Sequence, residues 1–173
     1  MELKFSKTIT KPDFQGEFTA SILAAAASPD VISFAGGLPN PVSFPVKEME
    51  AATQKVLSEQ GAVALQYSST QGYLPLRQWA AKRYEVLGVT DVEADDIIIT
   101  NGSQQALDMF SAVMIDPGDR VLVENPSYLA ALQTFHLYDP EIVPVSLRDN
   151  GIDVAELEKA IAEKSPKFMY LIP

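Results

Sequence analysis

Cysteine is absent from these 173 residues, which excludes disulfides and thiolate metal sites and is compatible with a reducing compartment. Histidine occurs once, at His136, so a multi-histidine metal centre is excluded as well. Basic residues are scarce. Thirteen Lys and Arg stand against 23 Asp and Glu, and the formal net charge of -10 repels nucleic acid and anionic membrane. Long apolar runs are missing too, since nothing approaches the roughly 20 residues that span a bilayer. The longest candidate for a targeting segment, residues 22–27, is too short and follows Asp13 and Glu17, where a basic region would be needed. These absences lead to the expectation of a soluble, cytoplasmic protein that handles small molecules, with no nucleic-acid or membrane partner.

What is present can bury one sizeable core: 47% of the residues are hydrophobic and only 21% are charged. The first half reads as helical segments joined by irregular loops. A short helix is expected over 18–27. Phe34-Ala35-Gly36-Gly37-Leu38-Pro39-Asn40-Pro41 then packs two glycines and two prolines into an apolar loop. From Val46 to about Glu59, Val46, Met49, Ala52, Val56 and Leu57 recur at helical spacing and predict one buried face. A further helix follows Pro75, with Leu76, Trp79, Ala80, Tyr84 and Leu87 inward and Gly88 ending it.

After Asp96 the rhythm changes. Short apolar runs at 97–100, 121–124, 142–145 and 168–172 alternate with helical patterns at 104–115, 127–137 and 154–162. That alternation predicts an α/β fold, a mainly parallel sheet with flanking helices preceded by N-terminal helical segments. Asp116-Pro117-Gly118-Asp119 and Asp149-Asn150-Gly151 are turns, and Asp153 with Glu156 reads as a capping box for the last helix. His136 falls on the apolar face of its helix and reads as a packed histidine. Parallel strands need cover on both faces, so a chain finishing on Tyr170-Leu171-Ile172-Pro173 is expected to be truncated in mid-fold.

Ile97-Ile98-Ile99-Thr100-Asn101-Gly102-Ser103-Gln104-Gln105 outlines an anion site: a strand turns through glycine into a helix whose first N–H groups lack acceptors. The hydroxyl of Ser103 and the amide of Gln104 add donors for a phosphate. The plainer alternative is that Ser103 caps its own helix, since the P-loop and dinucleotide fingerprints are both absent. Glu124-Asn125-Pro126-Ser127-Tyr128 ends the next strand and so falls on the same carboxyl rim, where ligands of parallel sheets bind. Tyr128 can lie against an aromatic ligand there, or simply pack.

Taken in order and spacing, residues 34–41, Gln66-Tyr67-Ser68, residues 100–104, Asp116-Pro117-Gly118-Asp119 and residues 124–128 resemble the class I/II aminotransferases of fold type I. The likeness is closest to the branch handling 2-aminoadipate, lysine or kynurenine. The resemblance implies residues 1–45 as an N-terminal arm with the substrate-side loop, and 46–173 as the first part of a large domain that binds pyridoxal 5'-phosphate. It implies that Gly102, Ser103 and Gln104 hold the cofactor phosphate, that Tyr128 stacks on its ring, and that Tyr67 reaches the phosphate of a neighbouring subunit in a homodimer. Gly37 and Leu38 would line the substrate side, an amino acid and a 2-oxo acid being the substrates. A plain tight turn is the alternative for Gly36 and Gly37.

The same resemblance implies what these residues lack. The Schiff-base lysine, the aspartate at the ring nitrogen, an Asn-Pro loop and the C-terminal arginine for the substrate carboxylate are all expected beyond Pro173. An N-terminal arginine of some relatives is replaced near Phe18. Lys159, Lys164 and Lys167 belong to the last helix or the start of the last strand. The chain alone is therefore expected to be inactive. Two other readings stand beside this one: a non-catalytic phosphate-binding α/β module, and the sensor half of an aminotransferase-like transcription regulator.

Overall fold

A computed structural model of the chain describes residues 3–6, 14–26, 30–32, 34 and 37–172. It divides into two compact units, Met1–Val31 together with Asn101–Pro173, and Ile32–Thr100.

In the first unit the alternating pattern of the sequence becomes a four-stranded sheet in the order β3-β2-β1-β4. Strand β1 (Arg120–Asn125) lies between β2 (Glu141–Arg148) and β4 (Phe168–Tyr170) and is parallel to both, while β3 (Gly151–Ile152) closes a hairpin on β2. Four successive residues of β1, Val121 to Glu124, are buried, as a central parallel strand covered on both faces requires. Val121 and Val123 meet Ile115, Ala131 and Phe135 in the core. Those last three come from the end of α4 (Gly102–Met114) and from α5 (Leu129–Leu137). By alternation Leu122 and Glu124 take the other face, beside their register partners Val143 and Val145. Helix α1 (Phe14–Ala26) covers the segment expected at 18–27, apart from Ala27, which lies outside the described residues.

Helix α6 (Val154–Lys164) carries only half of the expected capping box. Asp153 accepts from the Glu156 N–H at 3.0 Å, but the Asp153 N–H donates to the Ser146 carbonyl, so the Glu156 carboxylate accepts instead from Ser146 N at 3.0 Å. His136 corrects its expectation: it is exposed, and the buried positions of its helix are Ala131, Thr134 and Phe135.

The amino edge of the sheet is held by charge. Lys167 Nζ lies 2.7 Å from Asp119 Oδ2, and Arg120 Nε donates to Glu141 at 2.8 Å. The turn that presents Asp119 is the predicted one, with Gly118 at φ +89 and the Asp119 N–H donating to the Asp116 carbonyl. The hydrogen bond from Lys167, helped by the Asp116 backbone, lowers the Asp119 pKa below the usual carboxylate value, and the same bond raises that of Lys167. A lowered carboxyl stabilises the fold above its unfolded pKa of about 3.9 and loses that contribution as pH falls through the lower folded value. The raised lysine contributes fully below its unfolded pKa of about 10.4 and loses its share as pH rises through the higher folded value. Lys167→Met is therefore expected to lower the unfolding midpoint at pH 7. The gap from wild type should close below about pH 4, as read by denaturant melts across pH.

In the second unit, α2 (Val46–Ala64) and α3 (Leu74–Val86) form where periodicity places them, with Gln60 at φ -137 kinking α2 near its end. Their buried faces are not the predicted ones. Val46, Met49, Val56 and Leu57 are exposed, as are Leu76, Trp79, Tyr84 and Leu87. Periodicity locates an apolar stripe but not a partner for it, and among the described residues nothing covers these. What α3 buries is Arg77, 5% exposed, which donates to the carbonyls of Ala94 and Gly72 and pairs with Asp95 at 3.1 Å. Residues 97–100 correct the expectation of a strand. Ile97 is extended, but the Ile99 N–H goes to the Gln71 carbonyl, and among the described residues no strand of this unit offers a ladder. Gly88 at φ +81 ends the helix region as expected. No helix among the described residues is long and apolar enough to cross a membrane.

Candidate functional site

The recess that brings predicted residues together lies at the carboxyl ends of β1 and β4. Ser103, Ala106, Leu107, Phe110, Tyr128 and Tyr170 line a cavity of about 320 Å³. Lys167, Asp119 and Arg120 belong to the opposite, amino ends of the same strands, and Lys159 and Lys164 to α6.

Helix α4 begins as an anion site should. Gly102 sits at φ +76, a left-handed conformation that lets the chain turn from the preceding segment into the helix and that a side-chain-bearing residue adopts only under strain. Asn101 occupies the N-cap position but makes no side-chain cap bond; its N–H donates to Gln105 Oε1 at 2.6 Å. Ser103 is the second residue inside the helix and not its cap, which removes the plainer alternative for its hydroxyl. The first-turn N–H groups of Ser103 and Gln104 have no acceptor within the helix, and the dipole adds partial positive charge beside them. Gln104 departs from the expected arrangement in one respect: its side-chain amide donates to Thr134 Oγ1 on α5. Its backbone N–H remains the group on the helix start.

Tyr128 is the N-cap residue of α5, held at φ -73 and ψ 116 directly after the buried end of β1, and 47% exposed. It forms one wall of the recess whose other wall carries Ser103. Beside it, Ser127 Oγ is buried without a hydrogen-bond partner. Glu124 is buried and accepts from the Ile172 N–H at 2.8 Å, which ties the carboxyl ends of β1 and the last segment together. Tyr170 contributes a residue that sequence reasoning did not single out. Burial, then the neighbouring Tyr128 and Glu124, raise its phenol above the usual value, so it stays protonated at neutral pH. Its position two residues after Phe168 on an apolar strand was the available signal. The residues present fit a ring carrying a phosphate: donors at one end, aromatic and aliphatic walls along the rest.

Tyr67, Gly37 and Leu38 belong to the other compact unit. Tyr67 is fully exposed on the loop after α2, and together with Gln60, Val63 and Tyr73 it lines a cavity of about 700 Å³. Gly37 and Leu38 are exposed. A Cβ at Gly37 would meet nothing within 4 Å, so no packing demands glycine there. Gly36 lies outside the described residues.

The family model for "Aminotransferase class I and II" matches residues 30–172. A 2-aminoadipate transaminase from Thermus thermophilus is 43% identical over 159 residues, and an aromatic-amino-acid aminotransferase from Thermococcus litoralis is 44% identical over 161. These alignments cover 92% and 88% of this chain. The chain spans 38% of the length of each. A solved kynurenine aminotransferase from Pyrococcus horikoshii, in complex with PMP, superposes with a TM-score of 0.80 at 37% identity, covering 98% of this chain and 42% of that one.

Proposed function

The chain belongs to the class I and II aminotransferases, and from that premise we propose that it forms the phosphate- and ring-holding part of a cytoplasmic, pyridoxal-5'-phosphate-dependent transaminase. Such an enzyme moves an amino group between an amino acid and a 2-oxo acid. The observation that carries this reading is the single recess shared by Ser103, at a helix start without a side-chain cap, and Tyr128.

When bound, the cofactor supplies an electron-accepting ring and the aldehyde carbon at which amino groups are exchanged. This chain's own residues hold and orient it. Gly102, Ser103 and Gln104 donate to the phosphate, while Tyr128 faces the ring and fixes its plane. The apolar wall of Ala106, Leu107 and Phe110 keeps water from that side. Tyr67 serves the phosphate of a neighbouring subunit, and Gly37 with Leu38 lines the substrate side. The homodimer this requires is supported by the uncovered apolar face of α2, which leads into the Tyr67 loop.

None of Lys159, Lys164 and Lys167 stands on the recess, which supports placing the reacting lysine outside these 173 residues. Magnitudes agree. A phosphate at a helix end contributes up to about 2 kcal/mol and a stacked ring about 1, against roughly 8 for micromolar affinity. The 173 residues alone are expected to convert an amino acid to its oxo acid no faster than free cofactor. In the full-length protein, borohydride reduction in the presence of pyridoxal phosphate, followed by peptide mapping, should label one lysine outside residues 1–173. Specific labelling of Lys159, Lys164 or Lys167 would overturn the assignment.

A further inference from the structure

The ring platform and the phosphate cup lie on different helices; Tyr138 Oη donates to Asp108 Oδ1 at 2.8 Å farther along, and a second polar contact joins the helices at the start of α4. Thr134 sits in the middle of α5, 3% exposed, between the core residues Ala131 and Phe135. An apolar residue of the same shape would suit such a position better. A hydroxyl buried there costs free energy unless bonded, and a β-branched residue bonding back along its helix favours that helix little. Thr134 is bonded twice. Its Oγ1 donates to the Ala130 carbonyl at 2.9 Å and accepts from Gln104 Nε2.

Because the single hydroxyl proton is committed to Ala130, only a donor can approach the remaining lone pairs. That fixes which way the Gln104 amide faces. Gln104 is the third residue of α4, so the bond grips the first turn of the helix, the turn whose Ser103 lines the recess. Thr134 lies six positions beyond Tyr128, on the helix that Tyr128 begins. The contact spans 30 residues of sequence and ties the start of one helix to the body of the other.

We propose that Thr134 is a positioning residue: through the Gln104 side chain it sets the span between the phosphate-holding turn at Gly102–Gln104 and the ring platform at Tyr128. This rests on the pyridoxal-phosphate reading above. A loosened span leaves each half of the site intact, but the two no longer engage one ligand together. The signature is therefore a loss of preference for pyridoxal phosphate over pyridoxal, which lacks the phosphate.

The test is equilibrium binding of both compounds to the full-length protein, in wild type, Thr134→Val, Thr134→Ser, Gln104→Met and the double variant Gln104→Met/Thr134→Val. Valine keeps shape and removes the hydroxyl; serine keeps the hydroxyl. Thr134→Val should weaken pyridoxal phosphate by about three- to tenfold, the range one hydrogen bond spans, and leave pyridoxal within about twofold. Thr134→Ser should restore the preference, and the double variant should lose no more than Gln104→Met alone. A merely structural threonine would change melting temperature, or weaken both ligands equally, and either result with an unchanged preference overturns the inference. If the wild-type protein itself shows no preference for the phosphorylated compound, the pyridoxal-phosphate reading fails first and takes this inference with it. A wild-type preference that survives Thr134→Val sinks only the inference.

Discussion

Replacing Phe135 with alanine is expected to destabilise the first compact unit by about 3–5 kcal/mol, the cost of removing a buried aromatic ring and leaving its cavity. That is a large share of the roughly 5–15 kcal/mol that holds a domain folded. Phe135 is 1% exposed, and two rings of β4 meet it edge-on, Phe168 at 6.0 Å between centroids and Tyr170 at 5.5 Å. Phe168 in turn meets Phe110 of α4 at 5.0 Å, so one ring cluster joins α4, α5 and the edge strand β4. Phe110 and Tyr170 both line the recess, and the loss of Phe135 should reach the site as well as the core. Val113→Ala makes a good control, because Val113 is 82% exposed on α4 and its truncation should stay within about 0.5 kcal/mol. Denaturant unfolding of both variants measures the difference. A loss below about 1 kcal/mol at Phe135 would mean that the cluster is not the keystone of this unit.

The parts of the fold that were readable in the sequence are those whose signal is local. Residues 121–124 form a continuous apolar run ending in Glu124, and a central parallel strand is the structure that buries every one of its residues. The turn at 116–119 declares itself through Pro117 and Gly118. The direction of β1 places Tyr128 on the carboxyl rim, whereas Ser103 is expected there through a strand at 97–100 that does not form; it reaches the recess because α4 packs against α5.

What escaped the sequence depends on partners far along the chain. Residues 97–100 look like a strand, but a strand exists only with a ladder neighbour, and here the Ile99 N–H bonds to Gln71. The aromatic stripe of α3 pointed inward by periodicity, yet Arg77 is the residue buried, because three acceptors at Gly72, Ala94 and Asp95 converge on its guanidinium. Nothing in the spacing of charges announces that convergence. No spacing in the sequence announces the contact between Thr134 and Gln104, 30 positions earlier. Tyr170 was visible as an aromatic in a strand, but its place on the recess follows only from β4 pairing with β1.

The central claim is that the start of α4 grips a phosphate while Tyr128 carries the ring, and Gly102→Val tests it most directly. Gly102 holds φ +76, and a left-handed conformation costs an L-residue about 1–2 kcal/mol, with a β-branched side chain at the upper end. Beyond its chain neighbours and its own helix backbone, no atom lies within 4 Å of a Cβ built there, so the backbone conformation is the main source of the effect. The backbone relieves the strain by turning its peptide groups, and the N–H groups that form the cup turn with it. Losing a contribution of up to about 2 kcal/mol from the helix end weakens pyridoxal phosphate by up to about thirtyfold. Asparagine tolerates the left-handed region, so Gly102→Asn should retain most of the affinity. The measurement is equilibrium binding of pyridoxal phosphate and of pyridoxal to the full-length protein in wild type and both variants. The predicted result is a preference for the phosphorylated compound in wild type and Gly102→Asn that collapses in Gly102→Val. A folded Gly102→Val protein that binds pyridoxal phosphate as tightly as wild type would contradict the account.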